Sequence, residues 1–191
     1  MKLLITGFDP FGGSPVNAAW MAVDALPERV GDWELCKLQV PTVFGEAAKT
    51  VIAAAERIRP DAVLCVGQAG GRSAVTPEMA ALNLQFARIP DNAGQSPHDE
   101  SVIPGGPAAY FASLPARSMA DAIHAAGIPS AVSYSAGVYV CNDLFYSLLH
   151  HFRCTSVRVG FIHVPFLPQQ GEPSLPLCDT VTALIAASRA M

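Results

Sequence analysis

Two side chains have the types that thiol chemistry needs. Cys141 opens an amphipathic run in which Cys141, Leu144, Phe145, Leu148, Leu149 and Phe152 recur at the three-and-four spacing of one helix face, directly after a Ser135-Ala136-Gly137 turn signal. A cysteine in the first turn of a helix lies at the positive end of the macrodipole, which favours the thiolate. His163 closes the strand-like run 156–164. A cysteine nucleophile needs a base within reach, and that base needs an orienting acceptor. Taken singly, each residue reads as core packing. Free cysteine is commonly buried, and His163 shares a strand face with Val157, Val159 and Phe161. The other histidines fit less well: His150 and His151 close the cysteine helix, His124 is mid-helix and His98 lies in a long loop.

The surrounding sequence alternates between strands and helices. Strands are expected at 2–8, 33–40, 62–67, 130–136 and 156–164. Helices are expected at 17–30, with Asn17 as N-cap, and at 45–60, 115–127, 141–152 and 177–190. Residues 67–110 read as a long irregular region with a strand or hairpin near 78–86, and 88–107 as a long loop of the kind that is functional or mobile. The rhythm predicts a single α/β domain over 1–191, an α/β/α sandwich with a mainly parallel, twisted central sheet.

Ligands of such sheets bind outside the carboxyl ends of the strands. Four features fall there: "GFDPFGG" (7–13), "GQAGGR" (67–72), Cys141 and His163. Neither glycine segment has the dinucleotide or P-loop spacing. Phe8 and Phe11 flank an Asp-Pro turn. They offer an apolar wall suited to a flat uncharged ligand, or they simply cap the core.

Composition narrows the classes. The 191 residues are 51% hydrophobic and 15% charged, with net charge −4 and no basic run. This argues against nucleic acid and against an anionic membrane surface as partners, and leaves apolar area for a subunit interface. No stretch reaches membrane-spanning length, and the N-terminus reads as a first strand and not a signal peptide. Five cysteines without a CxxC pair predict reduced thiols in a cytoplasmic protein, with no disulfide framework and no zinc site.

Six segments in order, "TGFDPFGG" (6–13), "VNAAW" (16–20), "GQAGGR" (67–72), "ARIPDN" (87–92), "SAGVYVCND" (135–143) and "GFIHVPFLP" (160–168), resemble the pyroglutamyl-peptidase I family of cysteine peptidases. The resemblance implies removal of an N-terminal pyroglutamyl residue from peptides through a thioester, by a Cys-His-Glu triad. Cys141 matches the nucleophile, His163 the base and Glu78 the orienting carboxylate. From the residues alone Glu78 could be a surface glutamate, and Asp91 would be an equal candidate for that carboxylate. Arg88 resembles a residue near the reacting carbonyl, with a structural salt bridge as its other reading. Phe8 and Phe11 resemble the walls of the pyroglutamyl pocket, and Asn17 and Gln68 match polar positions around it. No metal or organic cofactor is implied, and assembly as a homo-oligomer, a tetramer, is. Pro77 and Asp143 depart from the family pattern. Two other functions remain open: a non-catalytic small-ligand-binding module of the same fold, and a thiol amidase for another small acyl group.

Overall fold

The computed structural model describes residues 1–191. In chain order its first half contains β1 (Lys2–Phe8), α1 (Ala18–Asp24), β2 (Arg29–Val30), β3 (Trp33–Val40), α2 (Glu46–Ile58), β4 (Ala62–Gln68) and β5 (Thr76–Pro77). There follow β6 (Ala80–Leu82), β7 (Gln85–Phe86), β8 (His98–Glu100), β9 (Ala109–Phe111), α3 (Ala116–Ala125), α4 (Val140–Phe152), β10 (Arg158–Val164) and α5 (Leu177–Arg189). The central sheet has the order β2-β3-β1-β4-β10-β5. Its four long strands are parallel, and the short edge strands β2 and β5 run antiparallel to their neighbours. This is the expected α/β architecture.

The sequence explains the layering. Strand β4, "AVLCVGQ", is fully buried from Ala62 to Val66, as a central parallel strand covered on both faces must be. Alternate residues of the strands feed two cores. Leu3, Ile5, Leu64, Val66 and Ile162 face α1, α3 and α5, where Val23, Met119 and Leu184 meet them. Leu4, Val63, Cys65, Val159 and Phe161 face α2 and α4, where Val51, Leu144, Phe145 and Leu148 do so. Gly7 lets α1 lie close on β1, because a Cβ there would stand 2.7 Å from the Trp20 Cα.

Three sequence expectations are corrected. The first helix ends at Asp24, and Arg29–Val30 turn back as β2 against β3. Residues 67–110 hold five short strands, with β6 pairing β9 and β7 pairing β8 in two-stranded ribbons. The strand expected at 130–136 is an extended segment beside β5 with only two isolated bridges, Val75 to Ser130 and Glu78 to Ser133. Its ladder starts as a parallel pair would, with Val75 N–H donating to Pro129 O and Ala131 N–H to Val75 O. At the next rung the donor would be Pro77, which has no N–H, so that bond is missing and the pairing is split in two; it resumes with Ser133 N–H donating to Pro77 O and Met79 N–H to Ser133 O.

Candidate active site

The carboxyl ends of β1, β4 and β10 and the start of α4 enclose a cleft of about 440 Å³. Cys141, His163, Phe8, Phe11, Asn17, Gln68 and Arg88 all line it, whereas the two candidate carboxylates, Glu78 and Asp91, do not.

The turn before α4 sets the position of Cys141. Gly137 takes a left-handed φ of 81°, and its N–H donates to Ser135 Oγ at 3.2 Å, sharply reversing the chain into the helix. The helix begins at Val140, one residue before the expected start, so Cys141 is in its first turn. The N–H groups of that turn have no carbonyl within the helix to bond. Asn142 bolts the turn down: its Oδ1 accepts Leu82 N–H at 2.8 Å, and its Nδ2 donates to Leu82 O and Leu84 O. Asp143 adds a second tie, accepting Gly45 N–H at 2.8 Å and the Gln85 amide at 2.6 Å. Burial pushes the Asp143 carboxyl up, and these two bonds partly offset it. On the sheet side Gly67 makes room for the sulfur, since a Cβ at that position would lie 2.9 Å from Cys141 Sγ.

His163 is the penultimate residue of β10 and is almost wholly buried. Its Nδ1 is 2.7 Å from Glu78 Oε1. Glu78 follows β5, and its N–H donates to Phe161 O, which holds it beside the histidine strand. Its side chain is fully buried. Arg72 Nη1 donates to the same Oε1 at 2.7 Å and also to Thr76 Oγ1. Both cationic or potentially cationic donors therefore converge on one oxygen, and Oε2 has no hydrogen-bond partner.

Burial alone would raise the Glu78 carboxyl. The His163 hydrogen bond and charge, the Ser133 hydroxyl and the Arg72 charge outweigh it and hold the group below the ordinary value. Burial lowers His163; Glu78 pulls it up and Arg72 pushes it down, and the result lies below a free imidazole. The pair is an ionised carboxylate accepting Nδ1–H from a neutral imidazole, which leaves Nε2 as an acceptor. The thiol departs from expectation. Burial, then the negative charge of Glu78 and the neighbouring Cys65, push Cys141 up to about 12 against the pull of Arg72 and of its own backbone N–H. Desolvation thus favours a neutral thiol beside a neutral imidazole in the substrate-free site.

The cleft walls are aromatic. Phe8 is buried and packs on Phe161 with ring centroids 6.5 Å apart. Phe11 leans on Tyr139 at 6.2 Å, and Tyr139 meets Phe44 edge-on at 5.3 Å. Asp9 braces the intervening turn by accepting Thr42 N–H at 2.7 Å. Asn17 caps α1 as expected, with Oδ1 accepting Ala19 N–H while Nδ2 donates to Asp9 O. Gln68 Oε1 accepts Ala18 N–H and the Gln170 amide. Arg88 is exposed on the rim.

Asp91, the other candidate carboxylate, does different work. It accepts the N–H groups of Phe44, Ala93 and Gln95 at 2.8–2.9 Å and so pins the loop that carries Arg88 and Ile89. Among the lining residues that the sequence reading did not single out, Arg72 and Tyr139 matter most to the site. Arg72 had a faint signal, a lone cation inside a glycine-rich turn at a strand's carboxyl end. Tyr139 had none beyond the aromatic patterning around the turn. No group of three or more His, Cys, Asp or Glu side chains is placed to hold a metal ion.

The family model described as pyroglutamyl peptidase matches residues 1–191. The pyrrolidone-carboxylate peptidase of Levilactobacillus brevis is 54% identical over 199 residues, covering 100% of this chain and 97% of that protein. The crystal structure of pyroglutamyl peptidase I from Bacillus amyloliquefaciens superposes with a TM-score of 0.96 at 45% identity, covering 99% of this chain and 93% of that one. The pyrrolidone carboxyl peptidase of Thermococcus litoralis does so at 0.95 with 34% identity, covering 99% and 92%. With a family model matched end to end and close relatives over its full length, the chain belongs to the pyroglutamyl peptidase family.

Proposed function

We propose that the chain removes N-terminal pyroglutamate through a Cys141 thioester, with His163 as base and acid and Glu78 as the orienting carboxylate. The observation that carries this reading is the 2.7 Å contact between His163 Nδ1 and a fully buried Glu78, with Cys141 and His163 facing one aromatic-walled cleft.

The scissile carbonyl carbon is attacked by Cys141 Sγ as the thiol proton passes to His163 Nε2. Because the resting thiol is held up at about 12, thiolate is generated at the moment of attack and not stored. Glu78 fixes the imidazole tautomer and stabilises the imidazolium that forms. The free N–H groups of the first turn of α4, with Arg88 at the rim, stabilise the oxyanion; one such donor typically contributes about 3 kcal/mol. His163 then gives its proton to the departing amine. Water, deprotonated by the same imidazole, cleaves the thioester and releases pyroglutamate with the thiol restored. The lactam carries no ammonium group, so its recognition asks for a flat apolar slot with a few amide-pairing groups. Phe8, Phe11, Tyr139 and Gln68 have those types. Homotetramer assembly and a cytoplasmic setting belong to the same proposal. Phe111, 76% exposed, supports the first and the five unpaired cysteines support the second.

The test is hydrolysis of a pyroglutamyl-aminocoumarin substrate, with the prolyl analogue as control. Turnover should occur with the pyroglutamyl compound alone and vanish in both Cys141→Ser and Cys141→Ala. Folded, reduced protein that leaves the substrate intact would refute the reading and favour a ligand-binding module or another thiol amidase.

A further inference from the structure

A second cleft of about 550 Å³ opens beside the first, sharing with it Phe11, Gln68, Gly70 and Ile89. Phe166 and Gln170 line it and are absent from the first cleft. None of its lining residues is charged. We propose that this cleft receives the residue that follows pyroglutamate in the substrate, and that it selects an uncharged apolar or aromatic side chain there. The proposal rests on the reading of Cys141 and His163 given above.

Position is the first argument. Phe166 lies three residues beyond His163 on the same continuous chain. The departing amine takes its proton from His163, so the leaving residue must lie on the histidine side of the scissile bond. A cleft that shares walls with the first and extends along the chain leaving β10 is where that residue would be seated.

Construction is the second argument. Gln170 rivets three loops together. Its Nε2 donates to Ser14 Oγ at 3.3 Å, to Val16 O at 3.2 Å and to Gln68 Oε1 at 2.9 Å, while its Oε1 accepts Leu167 N–H at 3.0 Å. Phe166 is held from behind, its carbonyl accepting Leu175 N–H at 2.8 Å. Gly70 lets the ring lie flat against the backbone, because any Cβ there would run into it. The wall is thus preformed, which lowers the ordering cost of binding. At the junction of the two clefts, Gln68 has its Oε1 occupied by Ala18 N–H and Gln170. Its amide N–H groups are left to donate to a peptide carbonyl spanning the junction.

Chemistry is the third. Phe11, Ile89 and Phe166 offer apolar surface, and no cation or carboxylate lines the cleft to pair a charged side chain. Burying an unpaired charge against such walls is unfavourable.

The experiment measures kcat/KM for the amides pGlu-Gly-NH2, pGlu-Leu-NH2, pGlu-Phe-NH2 and pGlu-Asp-NH2 by chromatography of the released amino-acid amide. Wild type should favour Leu and Phe over Gly by about tenfold or more, tenfold being the low end for a single methylene in an apolar pocket, with Asp the poorest. Phe166→Ala should collapse the Phe-to-Gly ratio by about tenfold, and Phe166→Leu should retain the Leu-to-Gly ratio. Cleavage of all four amides with a flat ranking, or a Phe166→Ala variant that loses all four in proportion, would overturn the second cleft's role and leave the thiol mechanism standing. Failure of wild type to cleave any of them would overturn both.

Discussion

Glu78→Gln asks how the buried carboxylate works. Two donors share Glu78 Oε1, His163 Nδ1 and Arg72 Nη1, each at 2.7 Å. Arginine can only donate. In the variant the amide must therefore turn its oxygen toward that shared position, because an NH2 there would face two donors. The imidazole keeps Nδ1–H and the correct tautomer, and only the negative charge is lost. A hydrogen bond to a charged group contributes about 1.5–3 kcal/mol more than none, which corresponds to a fall of roughly 10- to 150-fold in kcat/KM. A flipped tautomer would cost about 10,000-fold. The pH profile gives a second readout. His163 must be neutral to accept the thiol proton, so activity falls as pH drops through its pKa. Glu78 pulls that pKa up, so removing the charge should move the acid limb to lower pH. The assay is kcat/KM on pyroglutamyl-aminocoumarin from pH 5 to 9, with nitrogen NMR of the imidazole to report the tautomer. Adding Arg72→Met frees the amide to flip and should deepen the loss about tenfold. A single Glu78→Gln variant that is already about 10,000-fold impaired, or whose acid limb moves upward, would refute the convergent-donor argument.

Three further outcomes follow from the same geometry. Gly67→Ala places a methyl 2.9 Å from Cys141 Sγ and 2.8 Å from the Phe161 ring. It should lower kcat by more than tenfold and destabilise the fold by about 1–3 kcal/mol, read by turnover and urea unfolding. In the substrate-free enzyme at pH 7 the elevated Cys141 pKa should make iodoacetamide labelling slower at Cys141 than at the exposed Cys154 and Cys178, and labelling should accelerate as pH rises. Peptide mass mapping that finds Cys141 labelled first would contradict the neutral thiol. Asp143→Ala leaves the Gly45 N–H and the Gln85 amide without their acceptor, at a cost of about 1–3 kcal/mol. Calorimetry should show Tm reduced by roughly 2–10 °C, and an unchanged Tm would mean that water replaces the carboxylate at no cost.

What could be read ahead of the structure depended on how local its cause was. Strand β3 and the bounds of α2 follow from short-range periodicity and a single stop signal, and both came out within a residue or two. Cys141 and His163 were visible because turn, helix start and strand end are local signals. Glu78 was not visible by that route. Its role depends on a partner 85 residues away, and only the family resemblance singled it out over Asp91. The strands from β5 to β9 are two or three residues long, too short for alternation to register, and their partners are distant in sequence. The 130–136 segment has strand-like composition, but a proline across the ladder withholds the donor it needs. Thiol acidity also eluded sequence reasoning, because desolvation depends on what packs around the sulfur and not on where it sits in the helix.

The 85-residue separation of Glu78 from His163 also shapes how the molecule comes into being. As the chain leaves the ribosome, Glu78 appears long before β10 exists, and nothing else in the sheet offers its Oε1 the histidine donor. Strand β5 has β10 as its only neighbour in the sheet, so β5 cannot join the sheet before β10 is made. Loop closure of this length is slow relative to local helix formation. Peptidase activity should therefore be the last native property to appear during refolding, trailing the recovery of helical circular dichroism. A nascent chain lacking residues beyond β4 would have no partial site with which to attack other peptides in the cell.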